Sequence, residues 1–166
     1  RRTIAVVLVA AMAITQGKNM NLALLTDGLY VANQLQDADL QQLADLGIKH
    51  VVCNRPDAEE MGQPAVAHVA ALAAAQGMAV SHVAVTMNGL TVDAVHDFAA
   101  WLAQDGTPKL AYCRTGTRSS LLWALVQVEQ GKMTAAAAIA TAKLAGRDIS
   151  GAMGLLQQLE SQAKPV

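Results

Sequence analysis

Apolar and polar positions recur along this chain with two different periods. Short runs rich in β-branched and apolar residues predict strands at 29–32, 48–53, 80–85 and 109–113. Stretches with helical spacing predict helices near 37–46, 64–76, 91–104, 119–130, 134–145 and 149–163. Because strands alternate with helices, the sequence predicts an α/β fold: a parallel sheet of about four strands flanked by helices, with a helical C-terminal part.

The N-terminal segment does not follow this alternation. Two arginines precede an apolar run from Ile4 to Ile14, and the small residues at 11–13 are typical of a signal-peptide cleavage site. These features favour export or membrane tethering through residues 1–14. Met20 as a natural start, together with a reactive thiol that stays reduced more readily inside the cell, favours the cytoplasm instead. The sequence leaves both locations open.

The length of the chain fits one catalytic domain. The 166 residues suffice to bury a core without disulfides or metals. We expect residues 1–19 to be a signal, an anchor or an N-terminal extension, and residues 20–166 to form a single catalytic domain.

Charge and composition exclude several classes of partner. Twelve Lys and Arg residues balance 13 Asp and Glu residues, for a net charge of -1, and aromatic residues make up 3% of the chain. The sequence therefore predicts no nucleic-acid binding, which requires a basic surface or stacking platforms. Two cysteines are too few for a disulfide framework, and the histidines lack ligand spacing, so no metal site is predicted.

A polar loop joins the last predicted strand to the helix that follows it. It reads Cys113-Arg114-Thr115-Gly116-Thr117-Arg118, with Ser119 next. Amides at such a turn and at a helix N-terminus bind anions, because they carry unsatisfied donors and the positive end of the helix dipole. We therefore predict Cys113 as a nucleophilic thiolate and Arg118 as the guanidinium that closes an anion cradle. The other residues expected to bind the anion are Arg114, Thr115, Gly116, Thr117 and Ser119.

A second polar loop follows the strand at 48–53. Both loops lie at carboxyl ends of strands, where ligands bind in open parallel sheets. Arg55 and Asp57 are expected to pair and order this loop, and Arg55 is a further candidate for anion binding. Cys53 ends its strand beside the strand of Cys113, so it is a candidate redox partner that forms a protective disulfide with Cys113.

These two segments carry a resemblance to a known family. Ala-Tyr-Cys-Arg-Thr-Gly-Thr-Arg-Ser at 111–119, together with residues 53–60, resembles the bacterial phosphatase-like family found alone or fused to persulfide dioxygenases of the metallo-β-lactamase type. The resemblance runs from about Leu29 to Gly146. It implies a fold similar to dual-specificity phosphatases and a functional link to a persulfide dioxygenase. Family members have been named phosphatases or sulfur transferases, and both names imply Cys113 as nucleophile and Arg118 as the anion-binding arginine.

The spacing of the loop departs from that of protein tyrosine phosphatases. Four residues separate Cys113 from Arg118, one fewer than in those enzymes. Losing one residue removes a donor and about 3.8 Å of chain from the ring. The shorter loop resembles that of rhodanese-type sulfurtransferases, which hold a single sulfur atom on cysteine.

These features leave three hypotheses for the function of the chain. We hypothesise sulfur transfer: the Cys113 thiolate takes sulfur from a small anionic donor, thiosulfate or a persulfide, and passes it to a thiol acceptor or to cyanide, without metal or cofactor. The alternative is a phosphatase that acts on a phosphoester through a phosphocysteine. Its general acid would be Asp57, or Glu59 or Glu60, since residues 86–91 contain no carboxylate. The third class is an inactive phosphoanion-binding or partner-binding module.

Overall fold

A computed structural model describes residues 20–163, whereas the expectations for residues 1–19 lie outside the described residues. Its strands are Ala23–Thr26 (β1), Leu29–Ala32 (β2), His50–Cys53 (β3), Ala79–His82 (β4) and Lys109–Tyr112 (β5). They form one sheet in the order β1-β2-β5-β3-β4. Strands β2, β5, β3 and β4 are mutually parallel, which confirms the predicted parallel sheet.

Strand β1 was not predicted. It pairs antiparallel with β2, with Ala23 opposite Val31. The two strands are joined by a tight turn in which Gly28 has a φ of 77°. Asp27-Gly28 is a strong hairpin signal, and it was available in the sequence.

The predicted helices are all present, with ends shifted by a few residues. They are Asp39–Asp45 (α1), Val66–Ala75 (α2), Val92–Ala103 (α3), Thr117–Glu129 (α4), Ala135–Leu144 (α5) and Met153–Gln162 (α6), with a 3-10 turn at Ser150–Ala152. Among residues 20–163, no helix is both long and apolar enough to cross a membrane.

The sheet separates two apolar layers. Side chains alternate along a strand, so Leu110 and Tyr112 of β5 enter one layer while Ala111 enters the other. The first layer includes Leu40 and Leu43 of α1 and residues of α2, and the second includes residues of α3 to α6. All four residues of β5 are buried. The central strand that carries the cysteine loop is thus held from both faces.

Candidate active site

The cysteine loop begins where β5 ends. Cys113 follows Tyr112 directly, and α4 begins at Thr117, two residues earlier than predicted. Gly116 immediately precedes the helix with a φ of 85° and a ψ of -7°, in the left-handed region. A residue with a Cβ rarely adopts this conformation, so glycine permits the sharp passage from strand to helix. The loop itself therefore contains only residues 113–116.

Three carbonyl groups of this loop are engaged by donors outside residues 113–116. The carbonyl oxygens of Arg114, Thr115 and Gly116 each accept a hydrogen bond from a neighbouring part of the chain. The donors are, in that order, the Gln34 amide at 3.1 Å, Arg147 Nε at 3.1 Å and the Ser120 amide at 3.0 Å. Carbonyls engaged in this way leave the amide side of the turn to face an anion, which is the arrangement of an anion-binding nest.

Cys113 lies at the base of the loop. Cys113 is 0% exposed, and its Sγ accepts a hydrogen bond from the Gly116 amide at 3.1 Å. An amide donor to sulfur stabilises the thiolate more than the thiol. The role of Cys113 as a nucleophilic thiolate stays a prediction.

Arg118 lies in the first turn of α4 and is 8% exposed. Its Nη1 and Nη2 donate to Glu59 Oε2 and Oε1 at 2.7 and 2.8 Å, and Nη1 also donates to the Val85 carbonyl at 3.0 Å. The hydrogen bonds to Glu59, with the charges of Cys113 and Glu59, raise the pKa of Arg118. The predicted anion-binding arginine is thus held rigidly and remains charged.

Glu59 links two arginines. In addition to Arg118, it accepts a hydrogen bond from Arg55 Nε at 2.9 Å. The Arg118 hydrogen bonds and then Arg55 lower the pKa of Glu59 from 4.5 to about 2. At neutral pH Glu59 is therefore a carboxylate without a proton to give, and it is not the general acid.

Arg55 is buried, and it does not pair with Asp57 as expected. Its guanidinium instead contacts Glu59, Glu60 Oε1 at 3.0 Å and Gln34 Oε1 at 3.0 Å. The pairing predicted for this loop was correct in kind and wrong in partner. Glu59 and Glu60 contact the Arg55 guanidinium, whereas the Asp57 carboxyl group accepts a hydrogen bond from the Val66 amide.

Asp57 is exposed at the start of α2. Its Oδ1 accepts a hydrogen bond from the Val66 amide at 2.9 Å. That amide is the first of α2, whose N-cap residue Ala65 has no side-chain cap. Asp57 therefore supplies the cap from outside the helix, and its catalytic role stays a prediction.

A cleft of about 520 Å³ opens over the cysteine loop. Arg114, whose side chain is 62% exposed, forms an ion pair with Glu60 at its rim. The Thr115 hydroxyl donates to Thr117 Oγ1 at 3.0 Å. The residues that line the cleft are Glu59, Glu60, Met87, Arg114, Thr115, Thr117 and Arg118. Most of the predicted loop residues thus converge on one opening.

Ser119 is directed away from this opening. Its hydroxyl donates to Asn54 Oδ1 at 2.7 Å, and both residues are fully buried. The Asn54 amide also donates to the Tyr112 carbonyl at 2.7 Å, and its Nδ2 donates to the Val83 carbonyl at 3.0 Å. Asn54 therefore ties α4 to the ends of three strands, a role that its place in a polar loop did not reveal.

Cys53 is the last residue of β3, the strand beside β5. In the parallel pairing of β3 with β5, Cys53 lies opposite Tyr112, the residue before Cys113. Its Sγ donates to the Arg55 carbonyl at 3.4 Å. Burial raises the pKa of Cys53, and the charge of Cys113 acts in the same direction. Cys53 is a neutral thiol beside the predicted thiolate, and its redox role stays a prediction.

Taken together, the fold and the loop define a phosphatase-like α/β protein with a cysteine at the anion-binding turn. The chain belongs to the phosphatase-like family named after β-lactamase hydrolase-like proteins. The sequence model of that family, described as "Beta-lactamase hydrolase-like protein, phosphatase-like domain", matches residues 21–130. A β-lactamase hydrolase-like protein of Agrobacterium fabrum is 29% identical over 141 residues, which is 85% of this chain and 32% of that protein. The chain thus spans about a third of the length of the curated relatives it matches.

Solved structures have the same architecture. A Neisseria meningitidis protein assigned to the phosphatases is 37% identical, with a TM-score of 0.77 over 82% of this chain and 96% of that one. TpbA of P. aeruginosa, solved as a cysteine-to-serine variant in complex with pTyr, is 15% identical, with a TM-score of 0.63 over 86% of this chain and 91% of that one. The dual-specificity-phosphatase-like fold that the resemblance implied is confirmed.

Proposed function

We propose that this chain hydrolyses phosphate monoesters through a covalent phosphocysteine at Cys113. The observation that carries the proposal is the loop between β5 and α4, in which three carbonyls are engaged by donors outside the loop and the Gly116 amide donates to the Cys113 sulfur. The family supports phosphoryl chemistry. Sulfur transfer, our first hypothesis from the sequence, becomes the second candidate.

The proposed reaction has two steps. The Cys113 thiolate attacks phosphorus; an S–P bond forms, the ester P–O bond breaks, and the leaving oxygen takes a proton. Water then attacks the phosphocysteine, which releases inorganic phosphate and restores the thiolate. Arg118 and the loop amides stabilise the charge on the phosphoryl oxygens in both steps.

The leaving group needs a proton unless it is a stable anion. Asp57 remains the proposed acid, because Glu59 is ionised by its two arginines and Glu60 is paired with Arg55 and Arg114. To serve, Asp57 must move its carboxyl group from the α2 amide toward the cleft. Aryl phosphates, whose leaving groups are stable anions, should therefore be better substrates than alkyl phosphates.

The test is hydrolysis of an aryl phosphate and of an alkyl phosphate by wild type, Cys113→Ser and Asp57→Asn. Asparagine keeps an oxygen for the Val66 amide, so Asp57→Asn removes the acid without removing the helix cap. We expect no turnover for Cys113→Ser, and a fall of about 100-fold with an alkyl phosphate for Asp57→Asn. Hydrolysis that persists in Cys113→Ser would overturn the proposal. An unchanged Asp57→Asn enzyme would remove Asp57 from the mechanism while leaving Cys113 in place.

Sulfur transfer is favoured by two specific observations. The loop is one residue shorter than in protein tyrosine phosphatases, and each carboxylate of residues 57–60 already has a partner. Sulfite leaving from thiosulfate needs no comparable acid. Formation of thiocyanate from thiosulfate and cyanide above a Cys113→Ser control, with a persulfide on Cys113 in the mass spectrum, would support this reaction. Absence of both would exclude it.

A further inference from the structure

The turn after α5 carries an arginine to the back of the cysteine loop. Helix α5 ends at Leu144, and Gly146 follows in the left-handed region, at a φ of 78°. The Arg147 amide donates to the Ala142 carbonyl and the Gly146 amide to the Lys143 carbonyl, both at 2.9 Å. This paired closure is a Schellman motif, which fixes the direction in which the chain leaves the helix. Arg147 is thereby directed inward.

The guanidinium of Arg147 is buried among neutral acceptors. It is 2% exposed, and within residues 20–163 it has no ion pair with a carboxylate. Its acceptors are the carbonyl oxygens of Thr115 (3.1 Å from Nε), Ala145 (3.0 Å from Nη1) and Asn21 (2.6 Å from Nη2), and Asn33 Oδ1 (3.2 Å from Nη2). A buried cation without an anion is costly. Burial lowers the pKa of Arg147, and a charge on the Cys113 sulfur acts in the opposite direction.

Arg147 and Cys113 contact opposite ends of the same peptide group. Arg147 Nε donates to the Thr115 carbonyl at 3.1 Å, and the amide of that same peptide, on Gly116, donates to Cys113 Sγ at 3.1 Å. A cation on the carbonyl end of a peptide polarises it, which strengthens the donor at its other end. The guanidinium therefore acts on the sulfur through one peptide group as well as through space.

Gly116 supplies a second, independent sign of this arrangement. A Cβ on Gly116 would lie 2.5 Å from Arg147 Nε and 2.9 Å from its Nη2. The guanidinium thus packs directly against the turn, in the space that any other residue at position 116 would fill. The left-handed turn at Gly116 therefore leaves open the space that the Arg147 guanidinium occupies.

We propose that Arg147 is a positioning residue of the active site: it orients and polarises the Thr115–Gly116 peptide and supplies the counter-charge that keeps Cys113 ionised. The proposal goes beyond the proposed function and rests on Cys113 being the nucleophile, whichever group it transfers. Arg147 is not among the residues that line the cleft. Arg118 is the guanidinium on the cleft, and Arg147 is the one beneath the loop.

The test measures alkylation of Cys113 by iodoacetamide at mildly acidic pH, which depends on thiolate and requires no substrate. Asn33→Asp leaves Arg147 in place and gives it a carboxylate partner on the atom that already accepts its hydrogen bond. Arg147→Met removes the charge and keeps the length. The control is Lys109→Met, because Lys109 is an equally buried cation, 2% exposed, at the other end of β5, where its Nζ donates to the carbonyls of Trp101 and Leu102.

We expect Asn33→Asp and Arg147→Met each to slow alkylation by about tenfold. A thiolate that binds protons ten times more tightly is present at about one tenth of its former fraction at mildly acidic pH. We also expect kcat to fall more than KM rises, because the substrate contacts are intact. In Lys109→Met, Cys113 should be alkylated at the wild-type rate, even if this variant unfolds at a lower temperature. If Arg147→Met does not fold, Asn33→Asp decides alone. Wild-type alkylation in folded Asn33→Asp, or equal slowing in Lys109→Met, would overturn the proposal. Failure of every hydrolysis assay would leave these alkylation rates as they are.

Discussion

The guanidinium of Arg118 donates to both carboxylate oxygens of Glu59, at 2.7 and 2.8 Å. Glu59 in turn holds Arg55, so the loop after β3 and the first turn of α4 are joined by one carboxylate between two arginines. A planar guanidinium bound in this bidentate way has little rotational freedom. The arginine that the sequence assigns to the anion is thereby held in position before any anion arrives.

Replacing Glu59 by Gln should lower kcat/KM for an aryl phosphate by about tenfold, because glutamine presents one acceptor and releases the orientation of Arg118. The measurement is steady-state hydrolysis beside wild type. Glu60→Gln is the matched control, since Glu60 pairs with Arg55 and Arg114 and has no ion pair with Arg118. An increase in kcat/KM for Glu59→Gln would show that Glu59 competes with substrate instead of positioning the arginine.

The same carboxylate makes stability depend on pH. Arg118 and Arg55 lower the pKa of Glu59 from 4.5 to about 2, so its stabilising effect is complete above pH 4.5 and is lost as the pH falls toward 2. The effect should be on the order of 1 kcal/mol, since the pair is partly solvated. Urea unfolding of wild type and Glu59→Gln should show a difference that shrinks through this range. A difference that stays constant with pH would contradict the pairing.

Gly116→Ala should damage the site more than its backbone conformation alone explains. Gly47 has a similar φ of 81° with nothing within 4 Å of an added Cβ, whereas a Cβ on Gly116, at a φ of 85°, meets Arg147 at 2.5 Å. We expect Gly47→Ala to cost about 1 kcal/mol of unfolding free energy with full activity. Gly116→Ala should cost more and reduce turnover by roughly 100-fold or more, because the loop amides are displaced. Equal costs and full activity in both would show that the contact with Arg147 is unimportant.

Mild peroxide should convert Cys113 and Cys53 into a disulfide. Peroxide oxidises the Cys113 thiolate to a sulfenic acid, and the neighbouring Cys53 thiol condenses with it and releases water. Peptide mapping of wild type should show the cross-linked pair. In Cys53→Ser the same treatment should give sulfinic acid at Cys113. Wild type that yields only sulfenic or higher oxides at Cys113 would exclude the bridge.

The elements that the sequence could predict are those with local signals. The cysteine loop was recognisable because Gly116 and two arginines stand between an apolar strand and a helix, and the structure brings Arg114, Thr115, Thr117 and Arg118 to one cleft. The period of the apolar positions and the placement of glycines are local features, so they can be recognised in a single sequence. Strand β1 was missed because its four residues show no clear alternation, although the Asp27-Gly28 turn that follows it was a local signal.

The remaining features depend on long-range contacts. Arg147 is 32 residues from the Thr115 carbonyl that it binds, and in the sequence it resembles an ordinary surface arginine after a helix. Glu59 and Asp57 are two carboxylates of one loop, and only the fold decides that one binds Arg118 and the other caps α2. A polar residue's partner is set by tertiary packing, which has no signature in the spacing of one chain.

The most direct test of the account is the identity of the group carried by Cys113 during turnover. Wild-type enzyme is mixed with an aryl phosphate, quenched in acid within the first turnover and digested, and the peptide that contains Cys113 is analysed by mass spectrometry. The account predicts that this peptide gains one phosphoryl group, which is absent from Cys113→Ser. An unmodified Cys113 peptide despite released product, or a phosphoryl group on another residue, would contradict it.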